Sequence, residues 1–148
     1  MTLAAARTDE TTWVRRLIDD WAEAARASDL DGIMAAYTPD ILSFDATIQL
    51  QFKGAEAYRR HWQFCLEMCA GPMVLEVHDL EIEAGDDVAF GHYLLRCGGT
   101  GEDGKEQVGW MRVTVCCRKR GDRWRVAHEH FSVPFDLASG KALLDLEP

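Results

Sequence analysis

Apolar residues recur every three to four positions between Asp9 and Ala27, where Trp13, Leu17, Trp21 and Ala24 form one stripe, and this period predicts an amphipathic helix. Ser28-Asp29-Leu30-Asp31 has the form of a capping box with Asp in place of Glu or Gln, which predicts a short second helix through Tyr37. Thr38-Pro39-Asp40 should end it, because proline cannot continue the hydrogen-bond ladder. Ile41 to Ala46 reads as a strand with Asp45 at its far end, and Ile48 to Phe52 as a second one. From Gly54 to about Cys69 the helical period returns, with Tyr58, Trp62, Cys65 or Leu66, and Cys69 on one stripe, until Gly71-Pro72 stops it.

Strand character dominates the rest of the chain. Val74 to Glu83, Val88 to Cys97, Val108 to Arg118 and Trp124 to Phe135 are separated by Gly- and Asp-rich turns. None of these connections can hold a crossover helix, so the four segments should form an antiparallel meander. Helices followed by a sheet predict an α+β fold in which the helices cover one sheet face.

A length of 148 residues predicts one domain, with a core at about 9–137 and a C-terminal tail at 138–148. The formal net charge of −9 argues against nucleic acid and against an anionic membrane surface as partners. Met1 to Ala6 and the charged residues after it lack the apolar run of a signal peptide, and no segment has the length of an apolar membrane span. Cytoplasmic residence is the expectation, and an odd number of cysteines, five, fits reduced thiols better than a disulfide framework.

Strict alternation puts Trp124, Val126, His128, His130 and Ser132 on one face of the last strand, a face that begins apolar and turns polar. That is the signature of a sheet that packs on helices at one end and lines a cavity at the other; an exposed strand end is the plainer alternative. On the preceding strand Trp110, Arg112, Thr114 and Cys116 share a face, opposite Met111, Val113, Val115 and Cys117. An arginine between apolar neighbours in register predicts a wet pocket or a carboxylate partner. The expected pocket is therefore lined by Trp110, Arg112, His128 and His130, with His92 and Ser132 nearby, and is closed on the helical side by Trp21, Tyr58 or Trp62. Asp45 beside such a cavity would serve as a base or hold a histidine tautomer.

The other face of these strands, with Tyr93, Leu95, Met111, Val113 and Val115, would then meet water, and a homodimer through the outer sheet face is expected to cover it. His128-x-His130 can converge on a metal ion that His92 or Asp45 could complete, but no Glu ligand sits at the expected spacing, so no metal is assigned. No cofactor is expected: the glycines at 98, 99 and 101 precede a strand rather than a helix, and Gly-x-Ser-x-Gly does not occur.

The run Ala27-Ser28-Asp29-Leu30-Asp31-Gly32-Ile33, then Tyr37-Thr38-Pro39-Asp40, Phe44-Asp45, Gly54 opening a helix, and the closing stretch from Gly121 to Phe135 resemble the SnoaL-like, ketosteroid-isomerase-like branch of the NTF2-like superfamily. The resemblance covers nearly the whole chain. It implies a cone, in which a strongly curved antiparallel sheet wraps around three N-terminal helices with a pocket between them, often dimerising through the outer sheet face. Asp45 falls where the steroid isomerases carry their proton-shuttling carboxylate, and Trp21 stands in the place of their first-helix tyrosine. Dehydratases of the superfamily pair an Asp with a His, which the resemblance maps to Asp45 with His128 or His130. The expected function is general acid/base chemistry, of isomerase, dehydratase or hydrolase type, on a small apolar carbonyl or carboxylate compound. Arg112 would stabilise developing negative charge there. A non-catalytic pocket for a small ligand and a dimeric association domain are the alternatives.

Overall fold

The computed structural model describes residues 3–148, with side chains from residue 9 onward. Helix α1 spans Leu3–Arg26 and α2 Leu30–Ala35; strand β1 (Tyr37–Phe44) and the short β2 (Phe52–Lys53) precede α3 (Ala55–Met68). Four long strands follow, β3 (Val74–Ala84), β4 (Val88–Thr100), β5 (Glu106–Arg120) and β6 (Arg123–Ser132). They form one six-stranded sheet in the order β2-β1-β6-β5-β4-β3. The four long strands are the expected antiparallel meander, and β1 adds to it parallel to β6. The sheet does not close on itself. It curves around the helices as an open cone, an α+β architecture.

The second helix is shorter than its pattern suggests. Asp29 caps it by accepting from the Gly32 amide at 3.0 Å, and Gly32 itself lies so close to α1 that a Cβ there would stand 2.9 Å from that of Ala24. Tyr37 leaves the helix because its ring turns inward to the core, so β1 begins there instead of at Ile41. Pro39 lies in this strand at an exposed position where the β1–β6 register shifts. The strand expected over Ile48–Phe52 contracts to Phe52–Lys53.

The concave side of the sheet buries Leu75, Tyr93, Leu95, Val113, Val115, Cys117, Trp124, Val126 and Phe131 against Val14, Ile18 and Trp21 of α1 and Tyr58 and Trp62 of α3. Met111 packs on the same cluster. Burial of side chains this large supplies roughly 1.5–3 kcal/mol each. The residues that were expected to form a dimer face, Tyr93, Leu95, Met111, Val113 and Val115, therefore face the helices, and that argument for dimerisation falls. The convex face carries Val88, 61% exposed, and Phe90, 50% exposed. Among the described residues no helix is long and apolar enough to cross a membrane.

One irregularity in β6 decides which residues face the interior. Cys116 pairs with His128 but Cys117 pairs with Val126, so Ala127 is an extra residue in the strand. Such a bulge shifts every later side chain to the other face. Trp124 and Val126 point inward before it; Glu129 and Phe131 point inward after it. His128, His130 and Ser132 are thereby turned to the convex face, opposite Cys116, Thr114 and Arg112.

Candidate active site

Asp45 follows the end of β1, and its side chain is 13% exposed. Its Oδ1 accepts from the Thr47 amide at 3.2 Å and the Thr47 hydroxyl at 3.0 Å. Its Oδ2 lies 3.2 Å from His61 Nε2 and 3.2 Å from the Tyr58 hydroxyl. His61 and Tyr58 are neighbours on one stripe of α3, so a single helix face brings both to the same carboxylate. The His61 ring is buried and stacks on Phe52 at 4.2 Å, while Cys65, one turn on, places Sγ 3.7 Å from His61 Nε2.

Behind Asp45 sits a second carboxylate. Glu129 is 2% exposed, and its Oε1 accepts from the hydroxyls of Tyr58 at 2.6 Å and Tyr37 at 2.8 Å. Burial pushes its pKa up to about 8 against the pull of the two tyrosine donors, and the nearby Asp45 charge pushes the same way. Glu129 is therefore mostly neutral at pH 7. Burial raises the Tyr37 and Tyr58 phenols well above their usual range, and the Glu129 charge adds to it.

Asp45 and His61 behave as an ion pair. Burial opposes charge on both, yet the hydrogen bond and attraction between them win: Asp45 is held below the ordinary carboxylate value, and His61 is raised to about 9. Next to the pair opens a cleft of about 420 Å³. Apart from Asp45, His61 and Thr47, its walls are mainly apolar or sulfur-bearing, with Trp62, Leu95, Met111 and Phe131 among them. This is an apolar chamber with charge at one end, a setting that favours proton transfer on an otherwise hydrophobic molecule.

The sequence-based site is only partly realised. Asp45 and Trp62 line the cleft, while the fully buried Tyr58 lies behind it and reaches it only through Asp45. Trp21 is buried beside Trp62, ring centroids 5.9 Å apart, but does not line the cleft. Arg112 is exposed on the convex face and donates from Nε to Ser132 Oγ at 3.1 Å, so it neither anchors a ligand in the cleft nor meets Asp45. His128 caps the Leu42 carbonyl through Nδ1 at 2.6 Å and packs on Phe44; His130 packs on the same ring and is exposed. Trp110 packs at a tilt against His78, and His92 lies 4.0 Å from Glu81, both also outside the cleft. The bulge at Ala127 is the reason for the displacement of His128 and His130; Arg112 and Trp110 lie outside because β5 turns Val113 and Val115 inward. Sequence reading missed His61 and Glu129. His61 could have been found, because it lies between Tyr58 and Cys65 at helical spacing on the stripe already identified.

Residues 14–136 match the model of the SnoaL-like domain. The chain belongs to the SnoaL-like family. A solved NTF2-like protein of unknown function from Pseudomonas putida KT2440 is 46% identical to this SnoaL-like chain over 100% of both chains, with a TM-score of 0.86. More distant structures share the fold alone. A protein from Novosphingobium aromaticivorans proposed to be a scytalone dehydratase is 11% identical, with 87% of each chain covered and a TM-score of 0.76. One from Xanthomonas campestris proposed to be a calcium/calmodulin-dependent protein kinase II association domain is 18% identical, with 90% of this chain and 87% of that chain covered and a TM-score of 0.72. No curated protein matches the SnoaL-like chain.

Proposed function

We propose that this SnoaL-like protein is an acid/base enzyme that moves a proton on a small, largely apolar carbonyl compound held in the cleft. The observation that carries this reading is the 3.2 Å contact between Asp45 Oδ2 and His61 Nε2 at the edge of an otherwise apolar chamber. At neutral pH the pair is carboxylate and imidazolium, so one base and one acid face the same space. Asp45 takes the proton next to the substrate carbonyl, and His61 gives its Nε2 proton to an oxygen of the substrate. If that oxygen belongs to a β-hydroxyl group, water leaves and a double bond forms. If it is the carbonyl oxygen, an enol forms; Asp45 then returns its proton to a different carbon while the enol O–H proton goes back to His61 Nε2, which completes an isomerisation. Thr47 holds the carboxylate in place throughout, through its amide and its hydroxyl. The dehydratase suggested for the Novosphingobium relative agrees with this chemistry.

The test is solvent-deuterium incorporation or water loss, followed by NMR, with a panel of cyclic and aryl β-hydroxy ketones and β,γ-unsaturated ketones. Turnover of at least one compound is expected, with Asp45→Asn slower by about 10²–10⁴-fold. Saturable binding without exchange would support the non-catalytic ligand pocket instead, and an unchanged rate in folded Asp45→Asn would remove Asp45 as the base. A dimer through the outer sheet face would use the convex patch around Val88 and Phe90, which sedimentation of wild type against Phe90→Glu measures.

A further inference from the structure

A second site lies at the other end of β6, on the convex face. There the hairpin of β5 and β6 places Arg118 directly opposite Arg125 and Arg120 directly opposite Arg123. Like charges in facing positions of an antiparallel pair destabilise the sheet, and here the arrangement occurs twice in succession. The chain carries a net charge of −9, so acidic residues were abundant as alternatives. Yet among the described residues only one carboxylate, Asp40, meets the cluster, 3.5 Å from Arg118 Nη1. Arg125 Nε is buried with no hydrogen-bond partner, a costly state for a guanidinium. The four guanidinium side chains, with Thr38, Pro39 and Asp40, line a cleft of about 400 Å³.

We propose that this cleft binds the phosphoryl group of a small, multiply charged anion. Such a group supplies what the site lacks: acceptor oxygens for forked donors, including the buried Nε, and negative charge to offset the facing pairs. A dianion or higher is favoured because Asp40 offsets only one of the four guanidinium charges and leaves three to be balanced. Long polyanions are disfavoured, since the acidic remainder of the molecule repels a backbone or bilayer extending beyond the cleft. The site is independent of the Asp45–His61 cleft and does not depend on the reaction proposed there.

Isothermal titration in low-chloride buffer tests it, with inorganic phosphate, pyrophosphate and ADP as probes. Wild type should bind pyrophosphate saturably at one per chain, with affinity falling as salt rises. The double variant Arg123→Ala/Arg125→Ala should bind it at least about tenfold more weakly. Without ligand, the same variant should melt no lower than wild type, because repulsion has been removed. ADP binding tighter than pyrophosphate would identify a phosphoryl group carried on an organic body; equal or weaker binding would identify a free oxyanion. The control is Arg59→Ala/Arg60→Ala, which removes exposed arginines already paired with Asp31 and Glu56. Equal weakening in that control, unchanged affinity in the double variant, or no saturable heat with millimolar pyrophosphate would each overturn the proposal.

Discussion

The Tyr58 hydroxyl lies 2.6 Å from Glu129 Oε1, which joins α3 to β6 through a carboxyl group with almost no access to water. Tyr58 also reaches Asp45, so the buried Glu129 stands one hydroxyl away from the proposed base. A neutral Glu129 leaves Asp45 as the charged carboxylate of the pair. This division of protonation between two neighbouring carboxyl groups is set by environment, since one is sealed in the core and the other borders the cleft beside His61.

Replacing Glu129 by Gln should change the pH dependence of stability. In the unfolded chain the Glu129 carboxyl titrates near its ordinary value of 4.5, and in the folded protein near about 8. Between those values the folded state keeps a proton that the unfolded state has released, so wild-type stability declines as pH rises through the window. Glu129→Gln removes that decline. Urea denaturation across the range should find the variant gaining on wild type up to about pH 8, with a constant difference above it. A parallel pair of curves would show that Glu129 is already ionised in the folded protein.

His61 should lose its stabilising charge at the alkaline end. Its folded pKa of about 9 exceeds the ordinary 6.5, so its pairing with Asp45 contributes in full below about pH 6.5 and is lost as pH passes through about 9. His61→Gln should flatten this limb. The proton transfer proposed for the cleft should fail along the same limb, because the neutral imidazole no longer carries the proton it donates. NMR titration of the His61 ring nitrogens measures the value directly, and titration near 6.5 would dissolve the ion pair.

Deleting Ala127 should be far more damaging than its small side chain suggests. Without the bulge, strict alternation would carry His128 and His130 inward and expel Glu129 and Phe131. Loss of Phe131 burial alone costs about 3–5 kcal/mol, and Tyr37 and Tyr58 would lose their shared acceptor. Ala127→Gly, which keeps the residue count, is the comparison. A deletion variant that melts within a few degrees of Ala127→Gly would mean that β6 tolerates either register.

Local patterning already carried the order of elements. The 3.6-residue stripes of α1 and α3, the turn-bounded alternation of four strands and the short connections between them left little choice but helices on one face of an antiparallel meander. Asp45 was legible too, as a carboxylate ending a strand, and so was the shared face of Arg112, His128 and His130. Which side of the sheet that face occupies was not legible, because alternation carries no sign. For His128 and His130 the sign is supplied by one extra residue at Ala127, a bulge that exists only through the pairing of β5 with β6; for Arg112 it is set by the burial of Val113 and Val115 against the helices. The same holds for the candidate site, where Asp45 and His61 lie on separate elements and meet only because α3 packs across the mouth of β1. Sequence sets which residues can share a face; tertiary packing decides what that face looks at.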